Sequence, residues 1–169
     1  MSTDPTLLRE ICRALLEENR IMTLATWGPE GPWATPVIYA WEADTASLAL
    51  FFMSRLSTRH ATNIAGHPRV AAAIHPSDTR PLRGLQIEGT VRLLRAHEAL
   101  RAIRVYFRRF PRARRRFSLR AVLEEQGDLR CFRFIAERVF ILSEKHFGWG
   151  NRVLLALTAE TAARMNEPR

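Results

Sequence analysis

The chain has little of what staples, anchors or exports a protein. Of its 169 residues, only Cys12 and Cys131 are cysteines, set in a predicted helix and a predicted strand. Two isolated thiols exclude a disulfide scaffold and fit a reducing cytoplasm. No apolar run approaches the roughly 20 residues that span a bilayer. Met1-Ser2-Thr3-Asp4-Pro5 lacks the basic and then apolar regions of a secretory signal, so the expected location is cytoplasmic. Lysine is almost missing: Lys145 is the only one among 26 basic residues, against 17 acids, and the formal net charge is +9. That excess favours anionic ligands, although such an arginine skew also follows from genome base composition. Arginine is in any case the better residue for planar, bidentate recognition of phosphate.

Several chemistries lack their residues. His60, His67, His75, His97 and His146 show no metal-ligand spacing and the cysteines do not join them, so no metal is expected. There is no Gly-x-Ser-x-Gly elbow or Ser-His-Asp arrangement to support a hydrolase. Glycine-rich dinucleotide and P-loop fingerprints are missing as well. No catalytic acid or base is forced by the sequence.

What is there reads as one globular domain over 1–169, with a core at about 7–155 and a C-terminal tail at 158–169, a short helix or a frayed end. Asp4-Pro5 starts a helix, Asp at the cap and Pro in the first turn, whose apolar residues Leu7 to Leu16 recur at helical spacing until Asn19. Ile21–Trp27 and Trp33–Trp41 form a hairpin across the four residues Gly28-Pro29-Glu30-Gly31, with Pro36 marking an edge or a bulge. Ser47–Met53 is a strand apolar on both faces, which requires two covers: the barrel interior, and a helix, a second subunit or a flat cofactor. A short helix at Thr58–Ala65 follows. Then comes an alanine-rich strand at Arg69–His75, where something approaches the backbone closely, and an alternating strand from Leu85 to Leu93. A helix from about His97 to Phe110, an unassigned basic stretch, a strand at Arg130–Leu142, the loop Phe147-Gly148-Trp149-Gly150 and a strand near Arg152–Leu157 complete the chain. Five or six short strands with helices at the edges describe a mainly β fold with α additions, a small barrel.

The stretch that carries chemistry runs from Phe51 to Ile64. A buried strand ends, hydroxyls and arginines follow, and a helix begins at once. A helix N-terminus offers unpaired N–H groups and a positive dipole end. Ser54, Ser57 and Thr58 add hydroxyls, and Arg55, Arg59 and His60 add charge; together they suit a phosphomonoester. The plainer alternative is a well-capped helix with Ser57 at the cap and solvated arginines.

This order of elements resembles the pyridoxamine 5′-phosphate oxidase-like, FMN-binding split-barrel superfamily. It is carried by Ile21-Met22-Thr23-Leu24-Ala25-Thr26, the Gly-Pro-x-Gly turn, Ser-x-x-Ser-Thr-Arg-His and Gly-x-Gln-x-x-Gly. Gly84-Leu85-Gln86-Ile87-Glu88-Gly89, the segment from Tyr106 to Arg114 and Phe147-Gly148-Trp149-Gly150 are similar to its YhbP-like branch. The resemblance implies a split β-barrel, a homodimer with FMN shared across the interface, and a flavin-dependent oxidoreductase acting on a small-molecule substrate or electron donor. Carried over position by position, the flavin phosphate falls to Thr58, Arg59 and His60, with Ser54 on the strand before them. His60 stands where lysine is common, which makes its contact weaker and pH-dependent. Members that oxidise vitamin B6 carry a C-terminal block of Trp and Arg residues with no recognisable equivalent here. The alternative is a non-enzymatic binding module for haem, a deazaflavin or another anionic ligand.

Three features stay open on sequence grounds. Trp33, Thr35, Val37, Tyr39 and Trp41 share one strand face and either flank a flavin ring or, the favoured reading, fill core and interface. Trp149 either covers the flavin or anchors its loop to the barrel. The eight arginines of Arg101–Arg116 suggest a nucleic-acid surface or, more commonly, an amphipathic helix with Ile103, Phe107 and Phe110 turned inward; nucleic acid is the less favoured.

Overall fold

Asp4 caps the first helix, its carboxylate accepting the Thr6 amide at 2.8 Å with Pro5 in the first turn. A computed structural model describes residues 4–43, 47–78, 80–117, 119–124 and 127–157, so the segment expected over 158–169 lies outside the described residues. Helix α1 (Pro5–Glu18) buries Leu8, Cys12, Leu15 and Leu16 and ends at Asn19, as its apolar spacing dictates.

β1 (Ile21–Gly28) and β2 (Gly31–Ala43) form the hairpin, but Gly28 pairs with Gly31. The connection is therefore the two residues Pro29 and Glu30 rather than four. Gly31 takes a φ of 87°, the left-handed region that favours glycine. β3 (Leu48–Arg55) pairs with β2 only over Tyr39–Ala43, so Pro36 sits where that side of β2 has no neighbour and its missing N–H costs no ladder bond.

After α2 (Arg59–Gly66) come β4 (Arg69–Ile74) and β5 (Arg83–Leu93). Helices α3 (Ala96–Arg109), α4 (Ala113–Arg116) and α5 (Leu119–Leu123) fill the stretch before β6 (Leu129–Ser143). α6 (Glu144–Phe147) and β7 (Arg152–Leu155) complete the described chain. Seven strands are thus present among the described residues, where five or six were expected. Their order is β3-β2-β1-β4-β5-β6-β7, and β6 also pairs with β3, which closes six of them into an antiparallel ring. One edge of β6 serves β3 over 129–135 and β7 over 139–142, so this long strand splits its partners along its length.

The register of β5 on β6 shifts between Glu88 and Gly89. A Cβ on Gly89 would lie 2.0 Å from the Ile135 carbonyl oxygen, so glycine alone fits this bulge. The ring interior is packed by alternating strand residues such as Met22, Leu24, Tyr39, Leu50, Ile87 and Phe134. Phe52 and Phe132 stack within it at 5.1 Å. The outer face of β3 has the second cover its sequence demands. Ala49 and Phe51 pack under α3, against Ala102, Ile103, Tyr106 and Phe107, so over these two residues the cover is a helix. Of the shared face of β2, Val37 and Tyr39 fill the core, and Trp33 remains exposed. No helix is long and apolar enough to cross a membrane among the described residues.

Candidate functional site

The end of β3, the turn after it and the start of α2 bring Ser54, Thr58 and His60 together. Ser54 Oγ lies 2.7 Å from His60 Nε2 and 3.3 Å from Thr58 Oγ1, and Thr58 Oγ1 lies 3.2 Å from His60 Nε2. His60 is buried, and that burial holds its imidazole below the ordinary range, in the neutral form. Thr58, not Ser57, is the residue at the helix cap, and its hydroxyl donates back to the Arg55 carbonyl at 2.8 Å instead of capping α2. The amides of Arg59, His60 and Ala61 are consequently without partners among the described residues.

Arg59 and Ser57 are engaged elsewhere. Arg59 Nη2 donates to the Glu30 carbonyl at 2.8 Å, Nη1 meets the Glu30 carboxylate at 3.3 Å, and the guanidinium lies 4.5 Å from the Trp33 ring. Its Nε is buried with no hydrogen-bond partner. The Ser57 amide and hydroxyl donate to the two Asp128 carboxylate oxygens at 3.0 and 3.1 Å, and Arg55 flanks the same carboxylate at 3.6 Å. An internal anion thus already holds both Ser57 donors. Helix α2 is drawn tight to β1: Asn63 Nδ2 donates to Thr26 Oγ1 at 3.1 Å, and a Cβ on Gly28 would fall 1.9 Å from Asn63 Oδ1.

Ser54 and His60 open into a groove of about 620 Å³, within the size range of small-molecule sites. Its sheet wall is Ile21, Pro36, Val37, Ile38 and Met53; its helix wall is Tyr106, Phe110, Ala113 and Phe117; Arg20 and Arg112 complete the lining. The chemistry is therefore an apolar slot with a small neutral hydrogen-bonding corner and two cations. The sequence did not disclose the helix wall. Phe110, expected to turn into the core with Ile103 and Phe107, is only half-buried and faces the groove; the stop at Pro111 was the available signal that α3 turns there. Asp128, 71 residues from Ser57, had no local signal at all. Trp149, on the loop after α6, is 81 % exposed and does not line the groove, so within one protomer it neither anchors its loop nor covers this site.

A closed antiparallel ring with an apolar groove at the strand-to-helix turn defines a split β-barrel. The chain belongs to the pyridoxamine 5′-phosphate oxidase family, whose profile matches residues 8–143, and within it to the YhbP-like branch. Its similarity to the UPF0306 protein plu4501 of Photorhabdus laumondii is 30% identity over 104 residues, covering 60% of this chain and 71% of that protein. To the UPF0306 protein YhbP of Escherichia coli it is 30% over 101 residues, covering 59% and 67%. Among solved structures, a heme binding protein from Mycobacterium smegmatis superposes with a TM-score of 0.68 at 20% identity, covering 97% of this chain and 62% of that one.

Proposed function

We propose that this chain binds FMN and works as a flavin-dependent oxidoreductase, with the isoalloxazine in the apolar groove and the phosphate at its polar corner. The observation that carries this reading is a slot for a flat apolar body that ends at the N-terminus of α2, where three amides await an acceptor. Ser54, Thr58 and His60 supply hydrogen bonds to the phosphate, and Arg59, with its unsatisfied Nε, supplies the charge. His60 acts there as a neutral hydrogen-bonding group, not a cation. Ser57 belongs to the turn but contributes only if Asp128 yields it. When bound, the flavin supplies hydride or electron transfer, for a small-molecule substrate or electron donor. The chain's own residues bind its phosphate, orient its ring and exclude water.

The same reading includes a homodimer. The outward face of β2, β1 and β4 is flat, apolar and small: Ala34, Ala25 and Ala71 lie side by side, as do Pro36, Thr23 and Ala73. Of the β4 alanines, Ala71 and Ala73 sit on this face, whereas Ala72 points into the barrel. The face runs into the groove through Ile21, Pro36 and Ile38, so a second copy seated on it would complete the slot. Trp149, exposed on its loop, is the residue we assign to ring contact from such an assembly. Two buried free thiols support a cytoplasmic setting.

Purified protein titrated with FMN tests this directly. Quenching of flavin fluorescence, with riboflavin binding more weakly because it lacks the phosphate, is the expected result; no affinity for either flavin would overturn the reading. Haem is the second candidate, favoured by the apolar walls and by Arg20 and Arg112 for its carboxylates; a shifted and sharpened Soret band, relative to free hemin, would mark it.

A further inference from the structure

The two walls of the groove differ in a way that bears on what shares it with the cofactor. The polar corner made by Ser54 and His60 sits with the sheet residues that end in α2, whereas the α3–α4 side presents Tyr106, Phe110, Ala113 and Phe117. Among the described residues no acid lines the groove, and the arginines on its lining are Arg20 and Arg112. Both are exposed and neither has an ion-pair partner among the described residues. Ion pairing does not single them out, since 26 basic residues outnumber 17 acids; their place on the lining of an apolar groove does.

We infer that the α3–α4 wall takes a planar, largely apolar substrate carrying a single anionic group, its ring against Phe110 and Phe117 and its charge at Arg20 and Arg112. A heavily hydrated substrate would gain little from this wall. The Phe110, Ala113 and Phe117 side chains offer it no hydrogen bond, so most of the water stripped from its polar groups would go unreplaced. An aromatic carboxylate loses little on leaving water, gains ring contact, and keeps its charge at the open rim, where guanidinium groups match a carboxylate in plane. The inference rests on the reading of this groove as the ligand site. It does not require FMN on the sheet wall, but haem would claim Arg20 and Arg112 for its own carboxylates and exclude it.

The test is a titration of the full chain, with and without saturating FMN, with 2-naphthoate and its uncharged counterpart 2-naphthamide, followed by calorimetry. Naphthoate should bind about tenfold more tightly than the amide at low salt, the scale of one exposed charge-assisted contact. In Arg20→Gln/Arg112→Gln the two affinities should converge while naphthamide is unchanged. Phe110→Ser should weaken both ligands alike. Since Arg20 and Arg112 are exposed, the double variant should keep the wild-type thermal transition, and circular dichroism verifies that. Equal affinities in the wild type would overturn the inference. So would a preference that survives the double variant, or, in the FMN-saturated protein, tighter binding of the polar dianion pyridoxal 5′-phosphate than of naphthoate. FMN binding without any arginine-dependent preference would sink this inference alone. An arginine-dependent preference in a protein that ignores FMN would sink the flavin reading and leave this one standing.

Discussion

Arg109 reaches back 93 residues to donate to the Leu16 carbonyl at 2.6 Å. Its Nη2 also donates to the Asn19 carbonyl at 2.6 Å and the Glu17 carbonyl at 3.2 Å, and its guanidinium lies 5.3 Å from the Tyr39 ring. One side chain therefore closes the C-terminus of α1, whose last carbonyls have no helical partners, and fastens it to the end of α3. Arg109→Met should cost about 2–4 kcal/mol, the sum of charge-assisted bonds lost and carbonyls left unpaired. Arg109→Lys should recover only part of that, since the ammonium has no second arm for the Glu17 carboxylate, 3.8 Å from Nη1, and no planar face for the Tyr39 ring. Urea unfolding of the two variants measures both effects.

Arg59 should separate phosphate binding from ring binding. Arg59→Ala is expected to weaken FMN by about 1–3 kcal/mol, a charge-assisted contact, while riboflavin affinity stays within a factor of two or so. Parallel fluorescence titrations decide it. An unchanged FMN affinity would move the phosphate site away from α2.

His60 gives stability a pH dependence with a definite sign. Its folded pKa lies below the ordinary 6.5 because burial favours the neutral ring. The unfolded chain therefore takes up a proton that the folded chain refuses, and the stabilisation, complete above 6.5, is lost as pH falls from there toward the folded value. His60→Gln should flatten the slope of stability against pH between about 5 and 7 relative to wild type. Denaturation midpoints at half-unit pH steps give the comparison.

Cys12 and Cys131 are buried, and burial pushes both thiols up to about 12. Neither should react with an aromatic disulfide reagent at pH 8 until the protein is unfolded, when both should titrate. Fast labelling of the native protein would mean that one of these sites opens.

The apolar outer face of the sheet predicts the state of assembly. Ala25 sits between Ala34 and Ala71 with its side chain outward, so Ala25→Glu leaves the barrel interior untouched. Light scattering should show a dimer in the wild type and a monomer in the variant, with FMN affinity falling together with dimerisation. A dimeric variant would place the interface on another face.

How far the sequence led depended on whether the relevant signal was local. Asp4-Pro5 foretold α1, the alternation of Leu85 to Val91 foretold the inner face of β5, and the abrupt change after Phe52 foretold the strand-to-helix turn, because each is decided by neighbours in the chain. Of the expected phosphate residues, Ser54, Thr58 and His60 do converge, since three consecutive pieces of backbone bring them there. Ser57 and Arg59 engage Asp128 and Glu30 instead, and neither partner is visible from the motif. The helix wall of the groove was illegible for the same reason: Phe110 read as a core residue, and Phe117 lay in a basic stretch with no assigned structure, until the barrel placed Ile38 and Met53 on the same groove.

The hold of Arg59 on Glu30 gives the hairpin a use beyond joining two strands. A guanidinium that must swing toward a phosphate has to release the turn at Pro29 and Glu30 and uncover the indole of Trp33. Occupancy of the slot would then be legible far from it, as altered Trp33 emission and easier clipping by a protease at the hairpin tip. The barrel would carry its own gauge of whether it is loaded.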